Sequence, residues 1–370
     1  MLEDLKKTDI RTLSEIYDPG SRESFVSLYM NMEKTNERFI EKRKKVCRSV
    51  LKGNSELIGN FDKTMKSIEK YLDMNDVEHG QKGLAIFASN EHDLFIAYKL
   101  GVQVEDLMVV DTSPYIRPLA RLRGDYDTFS LVVLDNHRAR IYVISSGKIE
   151  DKNKIARDIM KKHKKGGMSQ ARFQRLRVGA IEHFLKEVAE EMLQLFSKDN
   201  VVKIVIAGPG NAKIMLKDLL PNELKNKTLD LIDVDFDEAD RYLISMAEEA
   251  VLKDEKETVS NNVIRLKEEI LKESLAVYGL NDTIDAVKNG RLELLLVSKG
   301  YKKRGWICEK CQLVDSDKTD KCPNCSGKVS EVDVIEEIIE FAERKGTKIE
   351  FVDDNPILHE LEGVGGLLRF

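Results

Sequence analysis

Val202-Lys203-Ile204-Val205-Ile206-Ala207, followed by Gly208-Pro209-Gly210, reads as a buried parallel strand that stops at a glycine-proline turn. A short, nearly unbroken run of β-branched apolar residues is what a strand covered on both faces requires. Before it, an amphipathic helical pattern spans roughly 170–196. A hairpin precedes that helix, with strands at 131–134 and 140–144 joined by the turn residues Asp135-Asn136-His137. After the strand come a helix, a short strand at 229–234 and another helix. Strands alternating with helices in this way predict an α/β fold with parallel pairing.

From about Ser260 the pattern repeats: a helix, a second helix at 280–289, a strand at 292–297, a cysteine-bearing insertion, a helix at 332–345 and a strand at 348–352. The end is glycine-rich, Gly363-Val364-Gly365-Gly366, then Leu367-Leu368-Arg369-Phe370. Toward the N-terminus, a helical pattern leads to a strand at 24–30. A charged helical stretch follows over 33–72, interrupted near Gly53-Asn54, with Leu57, Phe61, Met65, Ile68 and Leu72 at helical spacing. Strands at 84–87, 94–97 and 107–110 complete that segment. Two successive α/β units do not fit one sheet, and 370 residues exceed what one core accommodates. Three domains are expected, at 1–126, 127–258 and 259–370.

With 42% hydrophobic and 34% charged residues, the composition is that of a globular chain. The net charge of −5 hides a local asymmetry, because seven Lys or Arg and no acid lie between 161 and 177. One concentrated basic strip on a mildly acidic protein points to a local polyanion contact and away from general DNA coating. No apolar run reaches the ~18 residues of a membrane span. The start, Met1-Leu2-Glu3-Asp4, has no secretory pattern. A soluble, cytoplasmic protein is expected.

Four of the five cysteines form two CxxC pairs, Cys308/Cys311 and Cys322/Cys325, separated by ten residues. Each pair bends a short loop so that two thiolates face one ion, and two such loops complete a tetrahedral site. A structural Zn2+ in a ribbon at 306–328 is therefore expected, since four thiolates leave no open position for catalysis. A redox dithiol does not fit, because neither pair follows a strand into a helix. Cys47, alone in a helix, reads as a buried small hydrophobe.

The basic strip itself is Lys161-Lys162-His163-Lys164-Lys165-Gly166-Gly167-Met168-Ser169-Gln170-Ala171-Arg172-Phe173-Gln174-Arg175-Leu176-Arg177. Paired glycines permit close approach of another backbone, and Arg172, Arg175 and Arg177 lie on the first turns of a helix, largely on one side. By charge alone, a solvated, charged linker before a helix explains the strip better than phosphate binding does. A nucleotide-binding loop does not fit, as there is no GxxxxGK[ST] and no strand directly before the glycines.

The strip closely resembles the peptidyl-transferase-centre loop of archaeal and eukaryotic class-1 release factors. Their pattern is a basic stretch, Gly-Gly-Gln, Ser, two residues, Arg-Phe, one residue and Arg-Leu-Arg, and the register holds here without a gap. The hairpin at 129–144, the strand at 202–208 and the terminal Gly-Val-Gly-Gly-Leu-Leu-Arg-Phe also have counterparts, so the resemblance covers essentially the whole chain. It implies a three-domain release-factor-like architecture with the zinc ribbon inserted in the C-terminal α/β domain. It also implies ribosome-dependent hydrolysis of the peptidyl-tRNA ester, with ribosomal RNA and peptidyl-tRNA as partners. A translational GTPase or the ribosome-recycling ATPase would meet the C-terminal domain.

The implied catalytic set is Gly166, Gly167, Ser169 and Gln170. The implied RNA contacts are Lys161, Lys162, His163, Lys164, Lys165, Arg172, Arg175 and Arg177. Two departures bear on the task. Met168 occupies the family's glutamine position, leaving Gln170 as the nearest glutamine; a Gly-Gly-x-Ser-Gln order is similar to that of release-factor relatives that rescue stalled ribosomes. The codon-reading motifs fall near Leu51-Lys52-Gly53-Asn54-Ser55 and Met108-Val109-Val110-Asp111-Thr112-Ser113-Pro114, and neither matches. Rescue is thus favoured over stop-codon reading. A genuine termination factor and a non-catalytic, Pelota-like ribosome-splitting adaptor are the alternatives.

Overall fold

The computed structural model describes residues 7–18, 23–34, 37–75, 77, 81–125, 128–145, 148–156, 168–198, 201–317 and 319–370. In chain order the elements are α1 (Lys7–Ser14), β1 (Phe25–Asn31), α2 (Glu37–Val50), α3 (Ser55–Met74), β2 (Gly83–Ser89), β3 (Leu94–Leu100), β4 (Leu107–Asp111) and α4 (Arg117–Asp125). Next come β5 (Phe129–Leu134), β6 (Arg138–Ser145), β7 (Lys148–Ala156), α5 (Met168–Lys198), β8 (Lys203–Ala207), α6 (Ala212–Leu219), α7 (Asn222–Lys227), β9 (Thr228–Ile232) and α8 (Asp240–Leu271). The last stretch holds β10 (Ala276–Tyr278), α9 (Leu280–Lys288), β11 (Leu292–Ser298), β12 (Arg304–Cys308), β13 (Val314–Asp315) and β14 (Val329–Asp333). It closes with α10 (Val334–Arg344), β15 (Lys348–Val352), α11 (Pro356–Glu360) and β16 (Val364–Leu368).

Two compact units emerge. One joins Met1–Gly124 with Thr258–Phe370, and the other is Asp125–Glu257. The second unit is built on a five-stranded sheet of order β7-β6-β5-β8-β9, in which β8 runs parallel to both β5 and β9. The apolar run at 203–207 thus lies between two neighbours, with Ile204, Val205 and Ile206 fully buried. The first unit carries separate sheets, β3-β2-β1-β4 early in the chain and β10-β16-β11-β15 late in it, plus the small sheet β13-β12-β14. The division at 1–126, 127–258 and 259–370 is retained as a proposal, since each segment has a sheet of its own. One helix supplies two cores: Leu243, Ala247 and Val251 of α8 are buried with Val205, and Val263 and Leu266 with Leu294.

The expected face of α3 is buried at Leu57, Phe61, Met65 and Ile68, with Leu72 half-buried, and Asn54 caps the helix by accepting from the Glu56 and Leu57 amides. Cys47 is buried, as expected of a small hydrophobe.

Gly208 ends β8 at φ +145°, where a Cβ would lie 1.9 Å from the Leu134 carbonyl oxygen. The buried Lys213 fixes this turn, its ammonium donating to the carbonyls of Gly208 (2.9 Å) and Gly210 (2.8 Å). Gly208→Ala is expected to cost the second unit about 3 kcal/mol or more, combining left-handed strain with a backbone clash. A thermal-unfolding midpoint unchanged from that of the parent protein would contradict this.

Candidate functional site: an arginine-bearing helix and a four-cysteine insertion

Helix α5 begins at Met168, so Met168, Ser169 and Gln170 form its first turn. Lys161, Lys162, His163, Lys164, Lys165, Gly166 and Gly167 lie outside the described residues, as do the side chains of Ser169 and Gln170. The core-forming residues of α5 are Ile181, Phe184, Leu185, Val188, Ala189, Met192, Leu195 and Phe196. None of the described side chains from 172 to 180 is buried. At ~1.5 Å per residue the helix runs about 20 Å from Met168 to its first buried residue. Such a segment remains helical because extending an anchored helix adds one hydrogen bond per residue, whereas starting one is costly.

Arg172 and Arg175 are exposed on this segment, together with Leu176 and Val178. Arg177 is half-buried, and its Nε has no hydrogen-bond partner among the described residues. The expectation that the three arginines share one side needs correction. At 3.6 residues per turn, Arg177 stands about 140° around the helix from Arg172, while Arg175 stands only about 60° from it.

The four cysteines converge. Their sulfurs all lie within 4.8 Å of one another, with Cys308–Cys325 at 3.4 Å and Cys311–Cys322 at 3.5 Å. Both loops close in the same way: the Gln312 amide donates to the Cys308 carbonyl (2.9 Å) and the Ser326 amide to that of Cys322 (2.8 Å). Gln312 and Ser326 take positive φ, 55° and 56°, to make those turns. A Cβ on Gly327 would press on the Cys325 and Cys308 sulfurs at 3.1 and 3.2 Å. Cys308 and Cys322 are buried, Cys325 is half-buried and Cys311 is exposed. A tetrahedron with ~2.3 Å metal–sulfur bonds has sulfur–sulfur edges of about 3.8 Å, so this set offers four ligands to one metal ion. The scaffold is the β13-β12-β14 sheet, and Lys288 of α9 ties it down by donating to the Gln312 carbonyl at 2.6 Å.

The two segments where codon-reading motifs would fall line one groove of about 600 Å³. Cys47, Leu57 and Met108 give it an apolar floor, and Arg43, Lys52 and Glu23 supply charge. The Arg43 guanidinium is committed to the Met108 carbonyl at 2.7 Å. Sequence spacing alone did not show that 51–57 and 108–110 meet.

A family model described as eRF1 domain 2 matches residues 128–258, and one described as eRF1 domain 3 matches 253–370. The peptide chain release factor subunit 1 of Archaeoglobus fulgidus is 29% identical over 283 residues, covering 70% of this chain and 70% of that protein. Its counterpart in Picrophilus torridus is 30% identical over 285 residues, covering 70% and 69%. Among solved structures, S. cerevisiae Dom34, described as a translation termination-like factor involved in RNA quality control, aligns over 78% of this chain and 79% of its own, at 14% identity and a TM-score of 0.42. The sheets and helices make this a mixed α/β protein, and the two family models with the curated relatives give it a release-factor-like architecture. The chain belongs to the peptide chain release factor subunit 1 family.

Among the described residues, no helix is long and apolar enough to cross a membrane.

Proposed function

We propose that this chain hydrolyses the peptidyl-tRNA ester on the ribosome and that its task is the rescue of stalled ribosomes. The observation that carries this reading is the exposure of Arg172 and Arg175 on α5, shortly after a basic, double-glycine sequence. Gly166 and Gly167 let the tip enter a narrow, RNA-lined site, and the lysines before them with His163 neutralise phosphate. Gln170 orients the attacking water, while a neighbouring backbone N–H donates to the developing oxyanion. A glutamine amide does not titrate in the working range, so it is no general base. Most of the catalytic surroundings come from the ribosome, and the isolated chain is nearly inactive.

Rescue is favoured over termination by Met168 at the family's glutamine position and by the groove, whose lining lacks the codon-reading motifs. The four-cysteine insertion holds Zn2+ as a structural ion. The C-terminal segment meets a translational GTPase or the ribosome-recycling ATPase, and the protein works in the cytoplasm without DNA or membrane.

Purified protein added to ribosomes carrying peptidyl-tRNA, with or without a stop codon in the A site, tests this. Release at both supports rescue. Release at stop codons only would reassign the protein to termination, and no release at all to a splitting adaptor. The arginines have a separate test. Arg172→Glu with Arg175→Glu is expected to weaken ribosome binding and flatten its log–log salt dependence by roughly 0.7–0.9 for each phosphate left without its arginine. An unaltered salt slope would remove these residues from the RNA interface.

A further inference from the structure

The joint between residues 7–124 and 258–370 is crossed by buried charge, beside the packing of α1 on α10. The Glu340 carboxylate accepts from the Ser113 hydroxyl at 2.8 Å and from Arg344 at 2.9 Å. One oxygen of Glu336 accepts from the Arg117 backbone N–H at 3.1 Å, and its other oxygen is buried with no hydrogen-bond partner among the described residues. The Arg117 side chain reaches Asp333 at 3.4 Å and donates to the Tyr301 carbonyl at 2.7 Å. Arg344 also donates to the Ser14 carbonyl, at the end of α1, which packs on α10.

Acids outnumber bases here. Glu337 and Glu340 of α10 face Asp111 of β4, with Glu23 nearby, and Glu336 lies beside Glu340 and the cap Asp333. Against them stand Arg117, Arg344 and, from α9, Lys288 beside Glu337; the phenols of Tyr29 and Tyr115 add no positive charge. A buried carboxylate without full compensation is costly, and taking up a proton removes that cost. Each half keeps its own apolar core. Among the described residues, Ala120 is the only one from 7–124 in the core built on Leu295, Val297, Ile338 and Ile339.

We propose that this joint is a latch that takes up protons as it closes, so that residues 7–124 are held against 258–370 more firmly at mildly acidic than at alkaline pH and come free without either half unfolding.

The direction follows from the groups themselves. Burial, reinforced by the neighbouring Glu340 charge, pushes Glu336 and Glu337 well above the usual carboxylate range. Burial also raises Asp111, and it lifts Glu340 to about 7 although Arg344 pulls the other way. Raised carboxylates mean that the closed joint binds more protons than the open one. Its stability is therefore full below the ordinary carboxylate range and is lost as pH rises, for Glu340 through about 7. Within that window each such group changes the closing equilibrium about tenfold per pH unit.

Hydrogen–deuterium exchange of the full chain at pH 5.5 and 7.5, with labelling times scaled to the intrinsic chemical rate, reads the latch. Peptides over 112–119, whose Arg117 amide is held across the joint by Glu336, are expected to exchange at least about tenfold faster at the higher pH, while 334–345 stays protected within its own half. Peptides over 129–134 and 203–207, in the other unit, should not change. Glu336→Gln, Glu337→Gln and Glu340→Gln combined, neutral and nearly isosteric, should remove most of that difference by keeping the joint closed at pH 7.5. Equal normalised exchange at both pH values in the unaltered protein would overturn the proposal, whether or not the variant folds. A pH difference that persists in a well-folded variant would overturn it too.

Discussion

Gln170→Ala is expected to lower ribosome-dependent peptide release by about 10²–10³-fold, the usual loss when one positioned donor to a reacting centre is removed. The loss should appear in the single-turnover rate and not in ribosome affinity, because on the proposed reading binding rests on Arg172, Arg175 and the lysines before the glycines. Alanine is the best helix former, so the first turn of α5 keeps its backbone. Met168→Ala is the matched comparison: a thioether is a weak acceptor and donates nothing, so release should stay within about threefold. If Gln170→Ala releases peptide at the parent rate, Gln170 only starts the helix. If Met168→Ala is the variant that fails, the working position is the family's own and the displaced-glutamine reading is wrong.

Legibility in the sequence followed the physics of each segment. The strand at 203–207 and the buried face of α3 were readable because burial on a regular element leaves a period in the residues themselves. β7, Lys-Ile-Glu-Asp-Lys-Asn-Lys-Ile-Ala, was not expected: it is an edge strand beside β6, where charge is tolerated and apolar alternation is not required. β16 was hidden by Gly365 and Gly366, which read as loop. The glycines are there because a Cβ on Gly366 would sit 2.9 Å from the Leu294 carbonyl oxygen and 2.7 Å from a Leu292 methyl. Likewise, α8 was expected as separate helices, yet its polar middle carries the helix on from one core into another.

The candidate site divides on the same principle. A metal site held by two CxxC loops depends on local spacing, so the sequence located all four sulfurs that converge. The angular spread of the arginines on α5 follows from their spacing at 3.6 residues per turn, so it was legible in the sequence and was misread there. The charged joint was invisible, because Glu336 and Glu340 read as ordinary acids on an amphipathic helix. Only the position of Ser113 and Arg117, more than two hundred residues earlier, makes them buried.

Removing the metal should unfold the insertion while sparing the rest of the chain, and Trp306 reports it. It is the only tryptophan in the protein, it is 6% exposed on β12, and its indole N–H donates to the Asp317 carbonyl. The core around it is small, Trp306 with Cys308 and Cys322 and a rim of Leu313, Cys325 and Val329. Such a cluster cannot offset the entropy of ordering some twenty-odd residues at ~1–2 kcal/mol each, whereas a structural zinc supplies roughly 10–16 kcal/mol. About one zinc per chain is therefore expected by elemental analysis. A strong chelator should shift Trp306 emission to the red and abolish amide protection across 304–333. Protection across β11 and β15, which pair through Leu294–Lys348 to Ser298–Val352, should survive, because the insertion adds only Ile307, Val314 and a half-buried Val332 to a core built on Leu295, Val297, Ile338 and Ile339. Cys308→Ser and Cys322→Ser, at the two buried ligands, should reproduce the chelated state without chelator. A metal-free protein with blue-shifted, protected Trp306 would show that the cysteines pack as ordinary core and that no ion holds the insertion.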